Sequence, residues 1–513
     1  MSVAFAKTIT LQGVRGEVVT VEIDVGDGLP GFSILGLPDT SILESRERVR
    51  SALINSGEEW LNRKVTVSLT PAWLPKSGPH FDLAIAISLL DAMGALPNRD
   101  HQDEFFLGEL GLDGAIRSVR GVLPSLLTAE EKGLQRAFIS SENEKEAQAV
   151  TGIDTLAFTN LKELLNFLRT GELPDRNIDF DSETEIGTNQ EVNNLLDLSD
   201  IAGQDHARKA MEIAAVGGHH CLLLGPPGTG KTMFAERMTT ILPPLSASEA
   251  LEVAAIHSIA GRFSAQKLLA KTPPYIAPHH SITMPALIGG GRIVQPGAVS
   301  IAHKGVLFID EAPEATKTLL DSLREPLESK FVTISRFYGT LTYPADFLLV
   351  LAANPCPCGR YSGRGLNCQC TQGQIRKYFG KLSAPLLDRI DIRIFVDRPT
   401  RLEMAQEQRG ESSAVVRARV VAAREKSKAR LAQYGLSKNS QLTVRLLRKE
   451  FAADKSAMAL LYDEMESERI TARGFHKILR LAWSITDLAG NDRPNREQVM
   501  EAIALREGLD RFA

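Results

Sequence analysis

The chain has 513 residues, 43% hydrophobic and 24% charged, with a formal net charge of −4. That length exceeds what one hydrophobic core holds, so about three domains are expected, and the mild acidity excludes nucleic-acid binding through a whole-molecule basic field. No apolar run approaches the ~18 residues of a membrane span. The opening MSVAFAKTITLQGVRGEVVTVEIDVG lacks the basic, apolar and small-residue order of a signal peptide. A cytoplasmic location without a membrane partner is expected.

Residues 1–169 alternate β-rich runs (VTVEIDV, KVTVSLT, AFIS) with helical stretches (SILESRERVRSALINS, LAIAISLLDAMGAL), which predicts a compact α+β domain. Residues 170–195 are acidic, polar and without apolar periodicity, the composition of a linker. Residues 196–399 open with a helix, then the apolar strand CLLLG, a glycine-rich loop and another helix. The buried strands GVLFID and FLLVLAAN follow. Strands alternating with helices predict an α/β core, a parallel sheet covered on both faces. Residues 400–513 carry long helical runs without clear strands, which predicts an all-helical C-terminal domain.

Gly225-Pro226-Pro227-Gly228-Thr229-Gly230-Lys231-Thr232 has P-loop spacing and lies between a strand and a helix. Its glycines let consecutive N–H groups turn toward phosphate at a helix N-terminus. Lys231 is expected on the β- and γ-phosphates of ATP and Thr232 on Mg²⁺. Further on, Val306-Leu-Phe-Ile-Asp310-Glu311 is an apolar strand ending in two carboxylates. Asp310 is expected at Mg²⁺, and Glu311 as the base that activates water.

Of five cysteines, Cys356, Cys358, Cys368 and Cys370 cluster, while Cys221 opens the P-loop strand as a small buried hydrophobe. Four thiolates can close a tetrahedral Zn²⁺ site, although C-x-C is tighter than the usual spacing; the alternative is four free thiols. Gly359, Gly363 and Gly365 would let this loop fold round a metal, displaying Arg360 and Arg364.

Taken together, GPPGTGKT, LFIDE and a third strand ending in Asn354 resemble the AAA+ superfamily. The resemblance implies that Asn354 polarises the water beside the γ-phosphate. Ser383-Ala-Pro-Leu-Leu-Asp-Arg389-Ile-Asp391 resembles the arginine-finger segment of the magnesium-chelatase and MCM branch, so Arg389 is expected to reach a neighbouring subunit's ATP. Thr471-Ala-Arg473-Gly resembles the second sensor, which implies that Arg473 contacts ATP from the helical lid; Arg480 on the same helix is the competing choice.

The resemblance extends along the whole chain. GLPDTSILESRERVRSAL, LPKSGPHFDLAIA, APHHSITMPALIGGG and NPCPCG are similar to the ComM/YifB family, often described as magnesium-chelatase-like. The family joins a Lon-protease-like N-terminal domain (ribosomal protein S5 domain 2-like) to an AAA+ core and helical lid. It implies a homo-oligomer, a hexameric ring. The implied activity is an ATP-dependent DNA helicase that drives branch migration on single-stranded or branched DNA during natural transformation, with recombination proteins as partners. The rival readings are a magnesium-chelatase-like protein-remodelling motor and an ATP-dependent protease.

Within residues 257–304 lie Arg262, Lys267, Lys271, His279, His280, Arg292 and Lys304 among glycines. By the resemblance this insertion projects toward the pore, where basic residues would follow a phosphate backbone; a solvated loop is the alternative. Phe331–Tyr343 reads as a β-hairpin. Arg336, Phe337 and Tyr338 at its turn would either stack on single strands or pack the hairpin on the core. In LPKSGPHFDLAIA the position of the Lon-type serine is His80, and the catalytic-lysine position falls near Ser125. A Ser–Lys dyad is therefore expected to be missing, which leaves a binding or oligomerisation module.

Overall fold

The computed structural model describes residues 3–97, 101–174, 196–291, 294–336, 339–361, 368–398, 400 and 410–507. Arg292, Phe337, Tyr338, Gly363, Arg364, Gly365 and most of the expected linker lie outside the described residues.

The N-terminal part holds two larger sheets and a small antiparallel pair, Glu109–Leu110 with Ile116–Arg117. In the first, β1 (Val3–Gln12), β2 (Arg15–Gly26), β3 (Gly31–Leu35) and β4 (Lys64–Thr70) lie in the order β1-β2-β4-β3, with only β3 and β4 parallel. Alternation along β2 puts Val19, Val21 and Ile23 inside, against α1 (Ser45–Asn55) and α2 (Asp82–Ala92). The second sheet, β5 (Glu104–Leu107), β6 (Arg136–Ser140) and β7 (Asp154–Phe158), is parallel throughout. It is crossed by α3 (Val122–Glu131), and α4 (Leu161–Thr170) closes this part of the chain. Sequence patterning pointed to the β6 run alone in this sheet: β5 has only four residues, all buried and without alternation, and β7 mixes exposed and buried positions without a two-residue period.

Helix α5 (Asp205–Gly217) leads into the core strand β8 (Cys221–Leu224), the P-loop and α6 (Lys231–Ile241), and then α7 (Ala247–Ile259). The core sheet adds β9 (Tyr275–Ile276), β10 (Val306–Ile309), β13 (Leu348–Ala353) and β14 (Ile392–Phe395), after the hairpin β11 (Phe331–Arg336) and β12 (Gly339–Pro344). Its order is β9-β10-β13-β8-β14, all parallel. The 257–304 stretch, expected as an insertion outside the core, thus supplies the edge strand β9. Two residues are too few to carry a strand signal in the sequence.

The N-terminal part docks on α7. Ala254 of that helix joins Ile9, Val122 and Leu126 in one apolar cluster. The buried Glu146 carboxylate accepts from the Leu123 N–H (2.9 Å) and from the Ser258 hydroxyl.

The C-terminal helices α8 (Ser413–Leu431), α9 (Lys455–Glu466), α10 (Ala472–Leu488) and α11 (Arg496–Glu507) share a core cluster with α5, β8 and β14. No helix among the described residues is long and apolar enough to cross a membrane. A charged strut ties these helices to the start of β14: Lys477 donates to Asp391 (2.6 Å), and His219 stands 3.2 Å from the same carboxylate and 2.8 Å from the Ser484 hydroxyl. Burial alone would raise the Asp391 carboxyl, but Lys477 and His219 hold it well below the ordinary carboxylate range. A depressed carboxyl stabilises above its unfolded pKa, near pH 4, and loses that contribution as pH falls. Lys477→Met is therefore expected to lower stability by about 3–5 kcal/mol at pH 7, through the unpaired buried charge it leaves. Urea unfolding at pH 7 and near pH 4 checks this, with the wild-type-to-variant difference narrowing in acid. An equal difference at both pH values would remove Asp391 as the cause.

Candidate nucleotide site and cysteine cluster

The four residues of β8 are buried, so the chain leaves the sheet at Gly225 with no side chain to spare for a turn. A Cβ at Gly225 would lie 2.2 Å from the Val396 carbonyl oxygen, which excludes any larger residue. Gly228 and Gly230 take positive φ (77° and 86°), and a Cβ at Gly228 would meet nothing within 4 Å. The loop thus bends round open space and closes on the N-terminus of α6. The Thr229 hydroxyl pins it by donating to the Pro226 carbonyl (2.9 Å). Gln204, a residue that no motif marks, donates to the carbonyls of Thr229 (3.2 Å) and Asp397 (2.6 Å) and braces the loop from outside.

Lys231 donates to the carbonyls of Gly225 (2.6 Å) and Pro226 (2.9 Å) and to Asn354 Oδ1 (3.2 Å). Burial lowers its ammonium, partly opposed by Asp310 and Glu311. Thr232 donates to Asp310 Oδ2 (3.1 Å), which sets a hydroxyl and a carboxylate side by side at the end of β10. Both oxygens suit the hard Mg²⁺ ion. Glu311, next along, adopts φ 48°, a left-handed conformation uncommon outside glycine, and is half-exposed. His280 Nδ1 stands 3.8 Å from its carboxylate. In sequence His280 reads only as one of several basic residues.

The four cysteine sulfurs lie within 4.8 Å of one another. Separations of 3.3 Å (Cys356–Cys358), 3.7 Å (Cys358–Cys368) and 3.6 Å (Cys356–Cys368) approach the edge of a tetrahedron with metal–sulfur bonds of ~2.3 Å. The donor set fits one soft or borderline metal ion. This loop also abuts the nucleotide loop, since a Cβ at Gly359 would come 2.9 Å from Pro227.

Arg389 and Arg473 stand elsewhere. Arg389 pairs with Glu328 and donates to the Pro385 carbonyl (2.9 Å). Arg473 pairs with Asp388, the residue before Arg389, so the two arginines share one edge of the molecule. Because β14 runs parallel to β8, Arg389 lies before its start, whereas Lys231 and Asn354 follow the ends of their strands. The structure therefore does not bring either arginine to the P-loop of its own chain. Arg480 lies deeper and donates to the Leu442 carbonyl (2.7 Å).

Lys304, expected on a basic loop facing a pore, is instead 20% exposed at the side chain, 3.3 Å from Asp346 and 3.7 Å from Glu249. It has a structural ion pair there. Arg336 is exposed at the end of β11. His80 is half-buried with its ring against Phe81, and desolvation lowers its imidazole to about 4, which favours the neutral ring. Lys76 is spent on the carbonyls of Gly36 (3.0 Å), Leu69 (2.9 Å) and Pro71.

A parallel sheet carrying a P-loop, a carboxylate-ended strand and an asparagine-ended strand, capped by helices, defines an AAA+ core. Residues 197–404 match the family described as "Magnesium chelatase, subunit ChlI", residues 21–143 "Subunit ChlI of Mg-chelatase", and residues 410–506 the C-terminal region of that subunit. The chain is 42% identical to an uncharacterized protein of Mycobacterium tuberculosis, covering 99% of each chain. It is 39% identical to "Competence protein ComM" of Haemophilus influenzae (99% of this chain, 98% of that one) and 38% identical to the uncharacterized protein YifB of Escherichia coli (100% and 98%). The chain belongs to the ComM/YifB family of magnesium-chelatase-like AAA+ proteins.

Metal analysis of the purified full chain is expected to find about one thiolate-bound metal ion per chain, as a closed four-cysteine site holds. Joint replacement of Cys368 and Cys370 by serine should remove it. Unchanged metal content in that variant would rule out the cysteine site.

Proposed function

We propose that this protein is an ATP-driven motor that acts on DNA as a homo-oligomeric ring. The observation that carries the ring is the distance between the two halves of the chemistry. Lys231, Thr232, Asp310, Glu311 and Asn354 gather past the ends of the strands, while Arg389 and Arg473 gather before their start. A transition state with charge on the γ-phosphoryl oxygens needs cations on more than one side. One chain supplies Lys231 on one side, and the arginines reach the other side only from a neighbour.

In this reading the loop N–H groups and Lys231 hold the phosphates, and Thr232 and Asp310 hold Mg²⁺. When bound, Mg²⁺ would supply positive charge against the phosphate oxygens. Asn354 orients the attacking water and Glu311 takes its proton. Arg389 and Arg473 turn from their carboxylate partners to the neighbour's γ-phosphate. Zn²⁺ is the metal we assign to the four cysteines, where it would hold the loop that touches Pro227.

DNA as the substrate is supported by membership of a family whose relative is named a competence protein, and by Arg336 exposed on a hairpin beside the core. Branch migration of incoming DNA in natural transformation is the activity we assign. The magnesium-chelatase descriptions favour a second reading, a motor that remodels a protein.

Lys231→Ala and Arg389→Ala are each expected to lower ATP turnover by roughly 10³-fold, and a mixture of the two to regain a share of it. In the mixture an intact P-loop meets an intact arginine across a subunit boundary. Two variants that stay inactive when mixed would end the shared-site assignment. On forked DNA the wild-type protein should separate strands with ATP and Glu311→Gln should not. ATP hydrolysis indifferent to DNA, without strand separation, would instead support the protein-remodelling motor.

A further inference from the structure

Beneath the core sheet, at the end of the strands opposite the P-loop, lies a cavity of about 540 Å³ between the core and the C-terminal helices. Its wall on α10 is formed by Arg473, His476, Lys477 and Arg480, which the helical repeat sets on one face. Lys304, Lys330 and Asp346 line the core side, and Arg424 and Lys438 the lid side.

The carboxylates here do not match the cations. Asp346 serves both Lys330 (2.8 Å) and Lys304 (3.3 Å). Arg424 donates to the Ala215 carbonyl (2.8 and 2.5 Å) and Arg480 to the Leu442 carbonyl (2.7 Å). Among the described residues neither has a carboxylate within ion-pair distance, and the Lys438 ammonium feels the charge of Asp346 from beyond that distance. Burial pushes Lys438 down to about 8 and Arg424 down to about 10, against the pull of nearby acids. Eight lysine and arginine side chains line the recess against five carboxylates; an excess of buried cations is costly, and an anion that enters gains charge-assisted hydrogen bonds from them.

We propose that this cavity is a second anion site, separate from the P-loop, which binds a phosphate chain of the size of pyrophosphate between Lys438, Arg424 and Arg480. Such an anion joins lid-borne cations to the core-borne Lys304 and Lys330 and draws the lid onto the sheet. Phosphoryl groups could come from a free small anion, from nucleotide held by a neighbouring subunit, or from a nucleic-acid backbone; the recess favours the small anion. The assignment does not depend on the ATPase reading.

The test uses the full chain carrying Lys231→Ala, which removes the P-loop as a phosphate site in every subunit. Titration calorimetry with pyrophosphate at constant ionic strength is expected to show saturable binding, with one site per chain. Adding Lys438→Gln should weaken it roughly tenfold or more, and Lys438→Arg should restore it. Because Asp346 keeps its ion pairs with Lys304 and Lys330, Lys438→Gln should melt close to its parent without pyrophosphate, and should lose the rise in Tm that pyrophosphate gives the parent. No binding, binding equal with and without Lys438, or a Tm rise reproduced by sodium chloride would overturn the proposal. It would also fall if a short oligonucleotide bound in a Lys438-dependent way and pyrophosphate did not.

Discussion

The parallel pairing of β8 with β13 on one side and β14 on the other is the constraint on which the rest of the molecule depends. Parallel strands give a sheet two unlike ends, and loops that leave the same end meet. The P-loop, Asp310 with Glu311, and Asn354 come together because β8, β10 and β13 all finish on one side. Their sequence separations, up to 123 residues between Lys231 and Asn354, are bridged by that geometry alone. The same rule sends Arg389, which precedes β14, to the other end.

Two features give the core a means of passing on what happens at the nucleotide loop. Asn354 accepts from Lys231 and lies two residues before Cys356, and Gly359 packs on Pro227, so the cysteine cluster and the loop share a wall. On the opposite side, α7 follows the P-loop helix and carries the N-terminal part through Ala254 and Ser258.

Polar burial is handled differently at the two ends. At the strand starts Asp391 is fully compensated by Lys477 and His219. A few residues away, Lys438, Arg424 and Arg480 share a recess with too few carboxylates. The contrast separates a strut that holds the lid from a surface prepared for something anionic. In the N-terminal part His80 packs on Phe81, and Lys76 donates to three backbone carbonyls.

Much of the nucleotide site was legible in the sequence because each element of it is local. A glycine-rich loop needs its residues consecutive, a carboxylate-ended strand needs them adjacent, and two C-x-C pairs lie ten residues apart. The long helices and the strands β4, β8, β10 and β13 were legible for the same reason, as runs with a period or with continuous apolarity. Other features were settled only by tertiary structure. The strand β9 has only two residues, the apolar run of β14 is broken by Arg393, and His280 and Gln204 act through neighbours far along the chain. Lys304 reads as a loop cation and becomes an ion-pair partner because Asp346 is brought beside it by the start of β13. Arg473 and Arg389 join one edge, and Lys438 shares Asp346 with Lys304 and Lys330, because chain direction in the sheet and the docking of the lid decide which charges meet. Those are properties of contacts between distant segments, and no window of sequence contains them.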